Sequence, residues 1–208
     1  EPYYFAPAAE PVHQDITPWQ REFQVTVGKN NAKYFDENGW KYFTKERFDL
    51  LYPSYGDTYP LYNGAIGMTY EQGGIRAGLT VITNDGDTLT LKDRIDHHFS
   101  TSMATIETAA NYSDKLISEF KKYFEKNVSN PPGNYKTYVV KAQNIDRLQK
   151  MATLLNKNNI TFTFGGDKTL NGFNFETQKL ENFKLERNDL VLNLQQPSAV
   201  LASVLFEP

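Results

Sequence analysis

The sequence predicts an α/β protein built in two parts, and three observations lead to this prediction. The 208 residues are 39% hydrophobic and 23% charged, a composition with enough apolar surface for one or two buried cores. Helix-like and strand-like patterns both recur along the chain. A helix-breaking Asn-Pro-Pro-Gly run at residues 130–133 divides them into a mixed-sheet domain over residues 1–130 and a small α/β domain over residues 134–208.

The first part opens with an irregular segment and a capped helix. Residues 1–16 are rich in proline and aromatic side chains, which favours an extended entry. Thr17 can cap a helix, Pro18 suits its first turn and Gln20 completes a capping box. Near-helical apolar spacing and a glycine stop predict a helix over about 18–36, from Trp19, Phe23, Val27, Phe35 and Gly39. A short strand before Gly28 is the alternative, since three apolar residues alternate there: Phe23, Val25 and Val27.

Strand and helix signals follow as far as the break. Residues 52–64 are loop-like, and residues 65–70 are predicted to form an apolar strand that ends at Glu71. Residues 79–83 predict another strand, and Asn-Asp-Gly-Asp at 84–87 predicts a turn. A helix with one apolar face is then expected from Leu91 to Ala110, and a second helical run extends or follows it; their apolar residues are Ile95, Phe99, Met103, Ile106, Leu116, Ile117, Phe120 and Phe124.

The second part alternates between strands and helices. The pattern predicts strands at 135–141, 160–164 and 189–194, a helix at 145–156, a hairpin at 173–185, and a short helix from Pro197. Alternation of this kind is typical of a small α/β unit with a mainly parallel sheet.

Charge and composition exclude several classes of partner. The formal net charge is −3, which gives no electrostatic basis for binding nucleic acid or an anionic membrane. The mean hydropathy is −0.58, and no run approaches the roughly 18 apolar residues of a membrane span. The absence of cysteine removes disulfides, thiolate nucleophiles and cysteine-based metal sites. The chain begins at Glu1 rather than Met, so we interpret it as a piece of a longer polypeptide.

The three histidines do not predict a metal site. His97 and His98 are adjacent on a predicted helix, where their side chains point about 100° apart and cannot easily bind one ion. His13 lies in the irregular segment and has no glutamate three residues later. We therefore predict no metal ligand within this chain.

Glu71 is the first candidate for catalysis. It ends an apolar strand and is followed by Gln72-Gly73-Gly74, where the backbone can turn sharply. A carboxylate at a strand end that faces a cleft can act as a general base, whereas the alternative is a solvated surface glutamate. Four tyrosines form a second candidate, either as a wall that binds sugar or peptide or as structural packing: Tyr52, Tyr55, Tyr59 and Tyr62.

Three segments together resemble a known enzyme family. They are LLYPSYGDTYPLYNGAIGMTYEQGG, the segment containing Arg76, and DGDTLTLKDRIDHHFSTSMATIETA. This combination resembles the C-terminal half of a zinc metallocarboxypeptidase of the carboxypeptidase A-like superfamily. It is most similar to large bacterial members in which a domain like a class I glutamine amidotransferase follows the peptidase domain. The most specific part is residues 67–74 (GMTYEQGG).

The resemblance implies a role for each candidate residue. A glutamate at a strand end promotes attack of zinc-activated water on the scissile carbonyl in that family, and its place falls on Glu71. A loop tyrosine that binds the substrate C-terminus falls on Tyr52 or, with a shift in the loop, on Tyr55, and we prefer Tyr52. Arg76 follows where relatives often have an arginine, either for substrate or as a surface ion pair.

The family's zinc-binding motif is missing from this sequence. Neither its His-x-x-Glu pair, its third histidine nor its substrate-carboxylate arginine is found in the 208 residues. The resemblance therefore implies a fragment of a secreted or periplasmic zinc carboxypeptidase that hydrolyses C-terminal peptide bonds. Zinc belongs to the intact parent and is not expected in this fragment, which should be inactive alone. The alternative is a non-catalytic module that binds peptide or glycan.

Overall fold

A computed structural model describes residues 2–73 and 80–207, and it divides the chain into two compact units, Glu1–Lys121 and Lys122–Pro208. The described residues form six helices and nine strands in four small sheets, so the coarse α/β class is confirmed. The division falls inside a helix that ends at Ser129, shortly before the Pro-Pro-Gly break at which the sequence analysis places the domain boundary.

The first unit contains two long helices and two pairs of short strands. Its elements are β1 (Tyr3–Tyr4), α1 (Pro18–Asn38), β2 (Tyr42–Phe43), α2 (Thr58–Leu61), β3 (Thr80–Ile82), β4 (Thr88–Thr90) and α3 (Leu91–Asn111); α4 (Ser113–Ser129) continues into the second unit. Strands β1 and β2 are parallel, whereas β3 and β4 form an antiparallel hairpin around the predicted turn. The helices expected at 18–36 and from Leu91 are confirmed, with ends one or two residues later.

Helix α1 begins and ends as its capping residues predict. The Thr17 hydroxyl accepts a hydrogen bond from the Gln20 backbone N–H at 3.2 Å, and the Gln20 side-chain oxygen accepts one from the Thr17 N–H at 3.0 Å. Gly39 ends the helix with φ of 67°, a left-handed conformation that costs glycine little. These local bonds stabilise the helix, which explains why residues 23–27 are helical and do not form the alternative short strand before Gly28.

The aromatic N-terminal segment supplies the core of the first unit. Tyr3, Phe5 and Phe35 are fully buried, and Trp40 and Tyr42 pack against them. The segment is irregular beyond its two-residue strand, as its prolines predict, and its residues 3–6 are buried in the unit, whereas Glu10, Pro11 and Gln14 are exposed.

Residues 65–70 do not form the predicted strand. The structure records only an isolated antiparallel bridge between Tyr4 and Glu71 in this region. The Gly67 carbonyl instead accepts a bond from the Gln24 side chain at 2.7 Å, and Gly67 lies so close to the Asp57 carbonyl that no β-carbon would fit. Side chains therefore satisfy this backbone in place of a neighbouring strand. Of the strand predicted at 79–83, the structure describes residues 80–83, and β3 occupies 80–82.

Helix α3 is oriented differently from what its apolar pattern suggests. The buried residues are mostly polar or small, namely His97, Thr101, Ala104 and Thr108. The apolar stripe is between 49% and 67% exposed at Ile95, Phe99, Met103 and Ile106. Polar groups on neighbouring segments hydrogen-bond to the threonine and histidine side chains, which makes the polar face the one that packs.

The second unit contains a three-stranded sheet and a separate two-stranded hairpin. Its elements are β5 (Thr137–Val140), α5 (Ile145–Lys157), β6 (Thr163–Phe164), β7 (Lys168–Asn174), β8 (Lys179–Leu185), β9 (Leu190–Asn193) and α6 (Ala199–Leu205). The predicted strands, helices and hairpin are therefore present in order, with the three sheet strands shorter than predicted and the hairpin longer, since it begins at Lys168.

The expectation of a mainly parallel sheet in this unit is wrong. Strand β9 lies between β5 and β6 and pairs with both in the antiparallel sense. Strands β5 and β6, which α5 connects, consequently run in the same direction but do not touch. The β7–β8 hairpin carries the chain back so that β9 enters between them in the opposite direction, and a local sequence pattern does not reveal such an insertion.

Candidate functional site

Glu71 lies at the edge of the first unit with its backbone fixed and its carboxylate open. Its N–H donates to the Tyr4 carbonyl at 3.1 Å, and its carbonyl accepts from the Tyr4 N–H at 2.7 Å. The side chain is exposed and makes no hydrogen bond or ion pair with any other residue that the structure describes. A carboxylate in this state is able to accept a proton from water or from a ligand.

The residues on either side of Glu71 are both attached to α3. The Tyr70 hydroxyl lies 2.5 Å from the Thr105 hydroxyl oxygen, and the Gln72 side-chain oxygen lies 2.9 Å from His97 Nδ1. The Thr105 hydroxyl also lies 2.7 Å from the Thr101 carbonyl and the Tyr70 hydroxyl 3.1 Å from the Met68 sulfur, so either hydroxyl can be the donor in the first pair. Helix α3 thus holds the chain immediately before and immediately after the carboxylate.

His97 is a buried, neutral donor in this arrangement. An amide oxygen only accepts, so the proton must reside on His97 Nδ1 in the bond to Gln72. Burial lowers the pKa of His97, and the nearby Asp93 and Asp96 only partly oppose this effect. The imidazole is therefore uncharged at neutral pH.

A second polar contact, between the Tyr3 hydroxyl and α3, interacts electrostatically with Glu71. The Tyr3 hydroxyl is 2.7 Å from His98 Nδ1 and 2.9 Å from the Thr101 hydroxyl. Burial raises the pKa of Tyr3 to about 12 and lowers the pKa of His98, and the charge of Glu71 raises both pKa values. Tyr3 therefore stays protonated and His98 stays neutral around pH 7, so that the surroundings of Glu71 on this side are polar without carrying charge.

Asn31 of α1 lies beneath Tyr70 and is completely buried. Neither of its amide atoms has a hydrogen-bond partner of normal geometry among the described residues. It is nevertheless close enough to oppose the effect of burial, which raises the pKa of Tyr70. The buried side chain next to Tyr70 is thus polar, whereas the core around Phe35 is aromatic.

The tyrosine loop is exposed and connected to the Glu71 segment. Tyr52 and Tyr55 are 56% and 54% exposed, and their rings meet edge to face with centroids 5.2 Å apart. The Asp57 carboxylate, which is 9% exposed, accepts a bond from the Thr69 hydroxyl at 2.6 Å, two residues before Glu71. This bond ties the loop to the segment, although no hydrogen bond joins Glu71 to either tyrosine.

The four-tyrosine wall is present only in part. Tyr59 is 41% exposed, like the two tyrosines before it, whereas Tyr62 is buried and its hydroxyl donates to the Leu51 carbonyl at 2.7 Å. Tyr62 therefore packs the loop from below, and only the other three tyrosines face solvent. Arg76 lies outside the described residues, so its predicted contact with substrate has no structural description.

Helix α1 fixes the segment between the tyrosine loop and Glu71. The Gln20 amide nitrogen donates to the carbonyls of Leu61 and Ala65, at 2.8 Å each. One turn further along, Gln24 donates to Gly67. Two buried glutamines on one helix face thus hold a stretch that has no strand partner of its own.

The sequence pattern did not lead to the supporting residues on α3. His97, Thr101 and Thr105 stand four residues apart on one helix face, and each bonds a group next to Glu71 or Tyr4. A stripe of polar residues at helical spacing was the available signal, but the apolar stripe beside it was the stronger one.

The histidines near Glu71 do not form a set of zinc ligands. His97 Nδ1 is bound to Gln72 and His98 Nδ1 to Tyr3, and the two rings are adjacent on α3. Among the described residues, those around Glu71 do not form a group of three or more His, Asp or Glu side chains that could hold a zinc ion. A groove of about 570 Å³ lies elsewhere, on the outer face of α3, and its lining does not include Glu71.

Comparison with known proteins gives no further assignment. No family model matches the chain, and neither characterised proteins nor solved structures gave a significant match. Within the described ranges, no helix combines the length and apolarity needed to cross a bilayer.

Proposed function

We propose that this chain contributes the general base of a zinc metallocarboxypeptidase, with Glu71 as the catalytic carboxylate. The observation that supports this most is the contrast at Glu71 between a fixed backbone and an exposed carboxylate that has no hydrogen-bond or ion-pair partner among the described residues. A surface glutamate without function needs no anchor on both flanking residues. The class of enzyme comes from the resemblance of residues 67–74 to the peptidase family.

The chemistry assigned to this chain is proton transfer. Zinc, held by residues outside this sequence, would supply the activation of water. The Glu71 carboxylate accepts a proton at one oxygen and can return it to the leaving amine. Tyr52, Tyr55 and Arg76 are proposed to bind the C-terminal end of a peptide substrate.

The test uses the intact parent protein with Glu71→Gln. This change keeps the shape of the side chain and removes the base, so kcat for hydrolysis of C-terminal peptide bonds should fall by about 100-fold or more. Zinc content and thermal stability should not change, because Glu71 neither binds metal in this proposal nor lies in the core. The exposed Glu46→Gln is a matched control and should be active. Near wild-type turnover by Glu71→Gln with zinc bound would refute the assignment.

A second candidate function is a binding module without catalysis. The observation in its favour is the exposure of Tyr52 and Tyr55, whose adjacent rings form a surface suited to stack on a sugar or to contact a peptide. Titration of the present chain with short peptides and with oligosaccharides, followed by tyrosine fluorescence, tests it. Binding that Tyr52→Ala and Tyr55→Ala abolish, together with an active Glu71→Gln parent, would favour the module over the enzyme.

The remaining predictions concern the second unit and the cell compartment. We assign no reaction to residues 122–208, and their similarity to an amidotransferase-like domain stays a prediction. A secreted or periplasmic parent is likewise a prediction from the family resemblance.

A further inference from the structure

Gln72 is the last residue of the Glu71 segment before two successive glycines in the sequence. Gly73 and Gly74 follow it in the sequence, and glycine restricts the backbone least of all residues. The bond from Gln72 to His97 is the final side-chain attachment of the Glu71 segment before those glycines. The direction of the Glu71 carboxylate consequently depends on how firmly Gln72 is held.

His97 is well suited to hold it, because its ring is confined on several sides. The ring centroid lies 4.5 Å from that of Trp40, 5.4 Å from that of Phe35 and 6.0 Å from that of Tyr3. Only 6% of the residue is exposed. A ring packed in this way has one orientation in which Nδ1 can reach Gln72, so the bond is set by the aromatic core rather than by solvent.

The other contacts of the Glu71 segment act at different points. Tyr70 is attached to Thr105 before the carboxylate, and the two bonds to Tyr4 hold the backbone of Glu71 itself. Among the described residues, the Gln72 contact is the one side-chain hydrogen bond that holds the segment after Glu71. We infer that the hydrogen bond between Gln72 and His97 positions the Glu71 carboxylate, which makes Gln72 and His97 positioning residues for the proposed general base. This inference rests on the proposed function for its catalytic meaning.

The first test measures position without activity, on the present chain. Gln72→Leu removes the acceptor at a half-buried site and leaves the core intact. Hydrogen exchange at the Glu71 amide, which donates to Tyr4, should accelerate by about 10-fold or more, because loosening of the segment exposes that amide. His97→Phe should have the same effect. Gln72→Glu retains an oxygen at the same distance and should preserve protection.

Thr108→Val is the matched control for this experiment. Thr108 is also buried on α3 but bonds to Asn30 and to the Ala104 carbonyl, away from Glu71. Exchange at Glu71 should not respond to it. Equal protection of the Glu71 amide in wild type and in Gln72→Leu would overturn the inference and would leave the proposed function untouched.

The second test asks whether Gln72 acts through Glu71 in the intact parent. Gln72→Leu should lower kcat by about 10-fold with little change in KM or in zinc content. In a Glu71→Gln background the same change should have no further effect, since the base is already gone. A further loss in that background would indicate a general structural role and would contradict the inference. If instead Glu71→Gln alone leaves turnover intact, the proposed function fails while the exchange result still stands.

Discussion

Asp189 is a buried carboxylate that organises the backbone of the second unit. Its side chain is 0% exposed and accepts bonds from Lys141 Nζ at 2.6 Å and from the N–H groups of Glu186 and Ala142 at 2.8 and 2.9 Å. Burial alone would raise the pKa of this carboxyl, but the bonds from Lys141 and from the two backbone amides outweigh it, so the pKa is lowered. The carboxylate therefore contributes stability in its charged form.

We expect Asp189→Asn to destabilise the protein and to reduce its sensitivity to acid. The loss at pH 7 should be about 2 kcal/mol, since the substitution removes a charged acceptor from buried donors. Because the folded pKa is below the unfolded value of about 3.9, the stabilisation is complete above that value and disappears as the pH falls through the folded pKa. Urea denaturation between pH 7 and pH 2 measures both effects. The exposed Asp167→Asn serves as the control and should cost less than about 0.5 kcal/mol. An unchanged midpoint for Asp189→Asn at pH 7 would contradict this account.

Helix α1 contains a glycine, Gly28, that is required by packing although glycine disfavours the helical state. Gly28 lies in the middle of the helix, where alanine would favour the helical state by about 1 kcal/mol. A β-carbon at this position would, however, overlap the Ala6 carbonyl oxygen, which is backbone and cannot move aside easily. The close approach of the N-terminal segment to α1 thus depends on this glycine.

We predict that Gly28→Ala destabilises the first unit by about 1–3 kcal/mol, because overpacking against backbone exceeds the gain in helix propensity. Thermal unfolding monitored by circular dichroism is the measurement. Gly56→Ala is a matched control, since nothing lies within 4 Å of a β-carbon there, and it should change stability little. A more stable Gly28→Ala variant would show that the N-terminal segment does not pack against α1 as described.

Helix α3 offers a direct test of which face is buried. Phe99 is 67% exposed and Ala104 is 1% exposed, although the apolar pattern alone suggests the reverse orientation. Phe99→Gln should therefore change the free energy of unfolding by no more than about 0.5 kcal/mol, whereas Ala104→Gln should cost more than about 2 kcal/mol by inserting a long polar side chain into packed space. Chemical denaturation of the two variants compares them. A larger loss for Phe99→Gln would mean that the exposed stripe is in fact buried.

The chain passes from the first unit to the second within α4 and then enters an exposed stretch. Cleavage within α4 is disfavoured because its backbone is hydrogen-bonded. Residues 133–136 follow the prolines, lie outside any helix or strand and are exposed. This stretch lies at the domain boundary that the sequence predicts.

Limited digestion with a protease of broad specificity should cut first between residues 130 and 135. Mass spectrometry of the first fragments identifies the site. A first cut between residues 65 and 110, with the 130–136 stretch intact, would argue against two domains.

Local chemistry made much of this fold predictable from sequence. The capping box at Thr17, the turn at 84–87 and the proline pair after Asn130 each act within a few residues, so helices α1 and α3 and the β3–β4 hairpin could be placed without tertiary information. Glu71 could be proposed for the same reason, since its place between an apolar run and two glycines is a local feature, although the strand predicted before it is not formed.

Contacts between distant residues decided the rest. The buried face of α3, the insertion of β9 between β5 and β6, and the attachment of Gln72 to His97 all join segments that are far apart in the sequence. No local propensity encodes these choices, because burial of a polar face becomes favourable only when its partners arrive from elsewhere in the chain. The sequence by itself determined the helices and the candidate carboxylate, and the tertiary structure determined which side chains support that carboxylate.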